Sequence, residues 1–173
     1  LAANLQDIQG QRGAGSAFYG PPAIGGSVNL ITSNFSKTPG LSFTSGYGTY
    51  NTRKYSVSVN SGFVGGKYQF YGRLSRMLSD GYRTNSWTDF SSYFLGAIRY
   101  DETMTTQINV YGGPVADHLA YYGIARDDAY SSDSQRRRHN PIGRPEEVEN
   151  FSQPHYELLH EWRLADKVTL NNA

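Results

Sequence analysis

Residues 54–75 read KYSVSVNSGFVGGKYQFYGRLS, and their two-residue period decides the architecture. Tyr55, Val57 and Val59 alternate with Lys54, Ser56, Ser58 and Asn60. After Gly62-Phe63-Val64-Gly65-Gly66 the alternation returns, with Tyr68, Phe70, Gly72 and Leu74 opposite Gln69, Tyr71, Arg73 and Ser75. Successive side chains of an extended chain point to opposite faces, so each half is a strand with one apolar and one polar side. The glycine-rich interruption is a tight turn, and together the halves predict a long antiparallel hairpin.

Working outward, the same period runs through most of the chain. Residues 41–50 set Leu41, Phe43 and Tyr47 against Ser42, Thr44, Gly46 and Gly48. Residues 90–100 predict a further strand of uncertain facing, because Tyr93, Phe94, Leu95 and Ile98 are apolar on both sides. Residues 104–112 alternate Ile108 and Val110 with Gln107, Asn109 and Tyr111, and 155–164 set Tyr156, Leu158, His160, Trp162 and Leu164 against Glu157, Leu159, Glu161 and Arg163. A seventh strand begins at Val168. The connections alternate between short (62–66, 101–103, 165–167) and long (79–89, 114–154), and the strands approach the ~9–11 residues that cross a bilayer at a tilt. Short turns on one side and long loops on the other predict a transmembrane β-barrel; a soluble β-sandwich is the competing expectation. Residues 1–33 differ: six glycines and the pair Pro21-Pro22 leave only short extended pieces, Leu5–Gln9 and Ser27–Thr32.

Composition fits this division. Among 173 residues there are 24 aromatics and 19 Gly, against a hydrophobic fraction of 38% that is low for an aliphatic globular core. The absence of Cys excludes disulfide scaffolds, thiolate metal sites and cysteine nucleophiles. A net charge of +1 provides no broad footprint for nucleic acid. The longest stretch without polar side chains, 119–125, is far short of the ~20 residues of a membrane-spanning helix.

The motifs that suggest chemistry are weak. Gly10-Gln-Arg-Gly-Ala-Gly15 lacks the Gly-Lys-Ser/Thr of a nucleotide loop, and Ser16 lacks the G-x-S-x-G frame of a hydrolase elbow. His155 and His160 are five apart and so fall on opposite strand faces, while Asp127, Asp128 and Asp133 miss the spacing of a calcium loop. No metal site, cofactor or catalytic constellation is expected, and the chain does not read as an enzyme. Charge concentrates in the long connection instead, where five Arg and six acidic residues lie between Arg126 and Glu149. There Arg136, Arg137, Arg138 and His139 form a basic cluster whose arginines suit an anionic ligand, and the loop aromatics Tyr82, Trp87, Tyr121, Tyr122 and Tyr130 are suited to stacking on one. Phe63, Tyr68, Tyr100 and Trp162 stand at strand ends, where a barrel places its interfacial aromatic girdle.

The stretch from Gln9 to Thr32, QGQRGAGSAFYGPPAIGGSVNLIT, resembles the end of the plug domain of TonB-dependent outer-membrane receptors. The family pattern is an apolar strand, R-G-x-x-S-x-x-Y-G, a small-residue turn with G-G, and a strand close to I-N-I-x-T. Arg12, Gly13, Ser16, Tyr19, Gly20, Gly25, Gly26, Asn29 and Thr32 occupy its positions. Further on, Ser79-Asp-Gly-Tyr-Arg-Thr-Asn-Ser86 resembles a loop after an early barrel strand, and Asn150-Phe-Ser-Gln-Pro-His-Tyr-Glu-Leu158 resembles the start of a later one.

The resemblance implies an all-β protein with two parts: residues 1–35, the C-terminal part of a plug domain, and residues 36–173, the first strands and outer loops of an incomplete transmembrane β-barrel. The family's plugged barrels have roughly 22 strands, so the expectation is a portion of a longer chain whose signal sequence, energy-coupling box and first half of the plug lie elsewhere. A free-standing seven-strand sheet would leave bare edges in lipid. The implied function is active uptake across the bacterial outer membrane of a scarce nutrient, such as a ferric siderophore, haem, cobalamin or a glycan. The implied partners are the periplasmic TonB energy transducer, outer-membrane lipid and a small-molecule nutrient such as an iron chelate. Arg12 is expected to pair with lumen carboxylates, and glycines 13, 20, 25 and 26 to permit sharp turns. The alternatives are a surface binding or adhesion barrel without active transport and, more remotely, a soluble β-sandwich binding module.

Overall fold

The computed structural model describes residues 7–13, 25–31 and 35–172. Of the plug-motif positions, Ser16, Tyr19, Gly20 and Thr32 lie outside the described residues, and Asn29 is described only as backbone of a strand.

The regular structure of the described residues is mostly antiparallel β. β1 (Asp7–Arg12) and β2 (Gly26–Ile31) form a separate hairpin. Gly26 is required there: its φ is +143°, and a Cβ would stand 2.5 Å from the Gln11 carbonyl oxygen. Gly13 has φ +89°, while Gly25 has open space around it and no left-handed backbone. Arg12 is exposed and forms no ion pair with a carboxylate among the described residues.

The second sheet is a meander. Its strands are β3 (Pro39–Gly48), β4 (Thr52–Ser61), β5 (Tyr68–Ser79), β6 (Thr88–Tyr100) and β7 (Met104–Gly112), followed after the long connection by β10 (His155–Ala165) and β11 (Val168–Asn172). Each pairs with its neighbour in that order. The long connection is not structureless: β8 (Val115–His118) and β9 (Val148–Phe151) pair with each other, β8 also pairs with the first residues of β6, and two single helical turns, α1 (Arg126–Ala129) and α2 (Ser134–Arg137), lie between them. One expectation about the connections needs correcting. The link between β3 and β4 is a tight turn that stands at the long-loop end, so loop length does not sort perfectly by side. It is tight because Tyr50 and Asn51 both adopt positive φ, the conformation that matches a two-residue turn to the strand twist.

Register aligns the strands into two chemically distinct faces. On one, Leu41, Val59, Gly72, Leu95, Val110 and Tyr156 form a continuous row across six strands. The next rows add Phe43, Val57 and Leu74 on one side and Phe70, Ala97, Ile108 and Leu158 on the other. Most of these side chains are exposed, Leu41 to 76% and Phe43 to 69%, while Ala97 and Val110 are half-buried. Charged pairs bound the apolar rows at both ends. Arg76 donates twice to Asp89 at the long-loop end, and Lys67 and Arg99 share Asp101 at the short-turn end.

The other face is polar and better covered. Ser56, Gln69, Ser75 and Asn109 are buried there with Phe94 and Ile98. Their polar groups are satisfied, as burial demands: Arg73 donates to Ser56, the Ser75 and Ser92 hydroxyls bond each other, and Tyr100 donates to Gln69, which donates in turn to the Ser36 carbonyl. Asn109 and Tyr111 both donate to Glu157. Phe94 packs between Tyr71 and Tyr111, and Tyr111 stacks on His155. Phe94 and Ile98 thus settle the facing of β6: they lie on the polar face and Leu95 on the apolar one. Tyr100 also turns to the polar face, bonded to Gln69, so of the expected girdle aromatics Tyr68 and Trp162 are the ones in register with the apolar face. Trp162 lies opposite Met104, two residues beyond the row of Thr106 and His160.

Candidate binding cleft between the long loops

The loop between β5 and β6 and the connection from β7 to β10 rise from the same end of the sheet. Backbone bonds join them: the Thr84 amide donates to the Arg138 carbonyl, and the His118 amide to the Trp87 carbonyl. Asp80 in turn is tied to the β3–β4 turn through its amide, which donates to the Tyr50 carbonyl, and its carboxylate, which accepts from Asn51. Gly81 makes this bend possible, with φ +76° and the Ser86 carbonyl where a Cβ would stand.

A buried polar node holds the long connection down. His118 and Asn140 are 3% and 5% exposed, next to the buried Ile142. His118 bonds the Arg144 carbonyl through Nε2, while Asn140 donates to the Leu119 carbonyl and accepts from the Ile142 amide. Each of these two side chains therefore ties together points of the connection that are distant in sequence.

Above the node lies an open cleft of about 720 Å³, lined by Asp80, Arg83, Trp87, Arg138, His139 and Asn140 with neighbouring loop residues. Its volume is in the range that suits small-molecule ligands. The lining thus holds two arginines and a histidine to one carboxylate, with the flat indole of Trp87. That combination favours an anionic or richly hydroxylated ligand with a planar or ring-shaped part.

Of the residues singled out from sequence, Trp87 and Arg138 line the cleft. Arg138 is held by its Nε, which donates to the Tyr82 carbonyl, while the Tyr82 ring packs edge-on against Tyr50. Tyr121 and Tyr122 form an exposed edge-to-face pair at 5.7 Å, attached to the cleft through Arg83, which donates to the Ala120 and Tyr122 carbonyls. Arg136 and Arg137 do not join them. Arg136 pairs with Asp128 across the two helical turns, and Arg137 donates to the Ser131 carbonyl. The basic cluster therefore divides: two of its three arginines brace their own loop. Tyr130 remains exposed. His139, the last member of the basic cluster, joins Arg138 in the lining, while sequence reading did not single out Arg83 or Asn140 as ligand-contacting. No family model matches the chain.

Proposed function

We propose that this chain belongs to a TonB-dependent outer-membrane receptor that takes up a scarce small-molecule nutrient. In this reading the seven meander strands are part of a larger transmembrane β-barrel, and the β1–β2 hairpin is the end of its plug. The observation that carries it is the segregation of the two sheet faces. An exposed apolar face this extensive is abnormal for a soluble domain and ordinary for a lipid-facing one. Its height supports the same reading. Asp89 and Arg99, ten residues apart on β6, mark its charged limits; at ~3.3 Å per residue and a tilt of ~40° they stand ~25 Å apart along the membrane normal, the thickness of a barrel's apolar band.

The opposite face, with its satisfied serine, asparagine, glutamine and glutamate groups, suits a wet lumen. The chain approaches that face from the hairpin side. Phe35 stands over Gly96, where a Cβ would lie 2.8 Å from its ring, and the Ser36 carbonyl accepts from Gln69. A plug entering the lumen needs such a path. The loop cleft then lies on the outer surface, where nutrient arrives, and its cationic and aromatic lining suits an iron chelate or a glycan.

The test is uptake by cells carrying the full-length protein, with radiolabelled ferric siderophore, haem, cobalamin and oligosaccharide supplied in turn. Accumulation of one of them that is lost when TonB is deleted is the expected result. Surface binding without TonB-dependent accumulation would instead support a binding or adhesion barrel.

A further inference from the structure

At the short-turn edge of the apolar face, Tyr68, Arg99, Thr106 and His160 occupy one register row. Lys67 and Arg99 share the single carboxylate of Asp101, with Arg99 bound at 2.7 Å and Lys67 at 3.2 Å. Both cations are more than half exposed, and the one carboxylate bonded to them serves both. The Arg99 guanidinium lies 6.0 Å from the centre of the Tyr68 ring, which fixes it at this level. One row higher, the apolar surface is dented: a hollow of about 460 Å³ lies among Val59, Phe70, Gly72, Leu95, Ala97 and Ile108. Gly72 and Ala97 make the hollow by withholding side chains from otherwise bulky rows.

We infer that this edge is a specific site for an anionic phospholipid, its phosphodiester held by Lys67 and Arg99 and an acyl chain lying in the Gly72–Ala97 hollow. The site rests on the barrel reading and deepens it by naming the lipid partner. Charge and shape coincide here. An apolar hollow alone accepts any acyl chain, and an exposed cation alone accepts any anion, but the hollow and the cations are adjacent rows of one face. Strand geometry puts them ~7 Å apart, the distance of two residues along β6 and of the step from a phosphate to the first part of a chain. The other cationic pairing of this face, Arg76 with Asp89, is one-to-one and bidentate, whereas Asp101 is divided between two cations.

The experiment is electron spin resonance of the full-length protein in phosphatidylcholine bilayers, with spin-labelled phosphatidylglycerol or phosphatidylcholine as the probe. The wild type should restrict phosphatidylglycerol about fivefold more strongly than phosphatidylcholine, the worth of one interfacial charge. The double variant Lys67→Gln, Arg99→Gln should reduce that ratio to about one, while Lys54→Gln, on the polar face, leaves it unchanged. Asp101→Asn, which frees both cations, should raise it, so the site stays testable even where the double variant fails to fold. Ala97→Leu should diminish the restricted population by filling the hollow. Restricted lipid with no headgroup preference in the wild type would overturn the site while leaving the barrel standing. No restricted lipid of either kind would overturn the barrel reading and the site together. Loss of the preference on adding inorganic phosphate would mark a free-anion site and overturn the phospholipid assignment.

Discussion

Asp101 shows how much a single side chain in a turn can organise. Its carboxyl is held below its ordinary value of 3.8, first by the hydrogen bond from Arg99 and then by Lys67. A depressed folded value means that the ion pair contributes fully above the unfolded value, and that the contribution disappears as pH falls from about 3.8 through the folded value. Asp101→Asn should therefore lower the thermal midpoint at pH 6, and the gap to wild type should narrow progressively as pH falls below about 3.8; thermal unfolding across that range checks this. Gly81 makes the opposite point, that a residue without a side chain can decide a loop. Alanine there would need φ +76° and would meet the Ser86 carbonyl. Gly81→Ala should destabilise the loop by ~2 kcal/mol, read as roughly 30-fold faster amide exchange across 80–87 and 138–140 with the meander unaffected. Neither residue stood out in the sequence, because its role comes from a backbone angle or from partners distant along the chain.

At the scale of the element, strands were legible where the two faces differ and illegible where they agree. β4, β5 and β7 alternate cleanly, and their facing follows from residue type alone. β6 does not, because Phe94 and Ile98 fill the polar face beside Gly96 while Leu95 lies on the other. Pairing resolves what periodicity leaves open, and pairing is not written in any one strand. β8 and β9 escaped notice for a simpler reason: four residues each carry too little alternation to register. The faces also make mutation asymmetric. Leu95 is near the middle of the apolar rows, and Leu95→Arg should cost ~2–4 kcal/mol of folding stability in a bilayer. Ser58→Arg, on the polar face, should cost much less, and urea unfolding from lipid vesicles distinguishes the two.

The whole molecule is divided by two boundaries, one between sheet faces and one between strand meander and loops. The first was readable from sequence, since it depends on a period of two repeated over many strands. The second was readable only in outline. The charged connection was visible, but the cleft is built from carbonyl contacts of Arg83 and Arg138 and from the node at His118 and Asn140, which composition does not reveal. The membrane-spanning reading stands on the first boundary, and the lack of cysteine makes it directly measurable. Single cysteines placed in turn at positions 68–76 of the full-length protein, spin-labelled in bilayers, report exposure to oxygen, which partitions into lipid, and to a water-soluble nickel chelate. The account predicts a two-residue oscillation, with positions 70, 72 and 74 reached by oxygen and shielded from nickel and positions 69, 71 and 73 reversed or protected from both. Nickel access of equal strength at 70, 72 and 74 would contradict it.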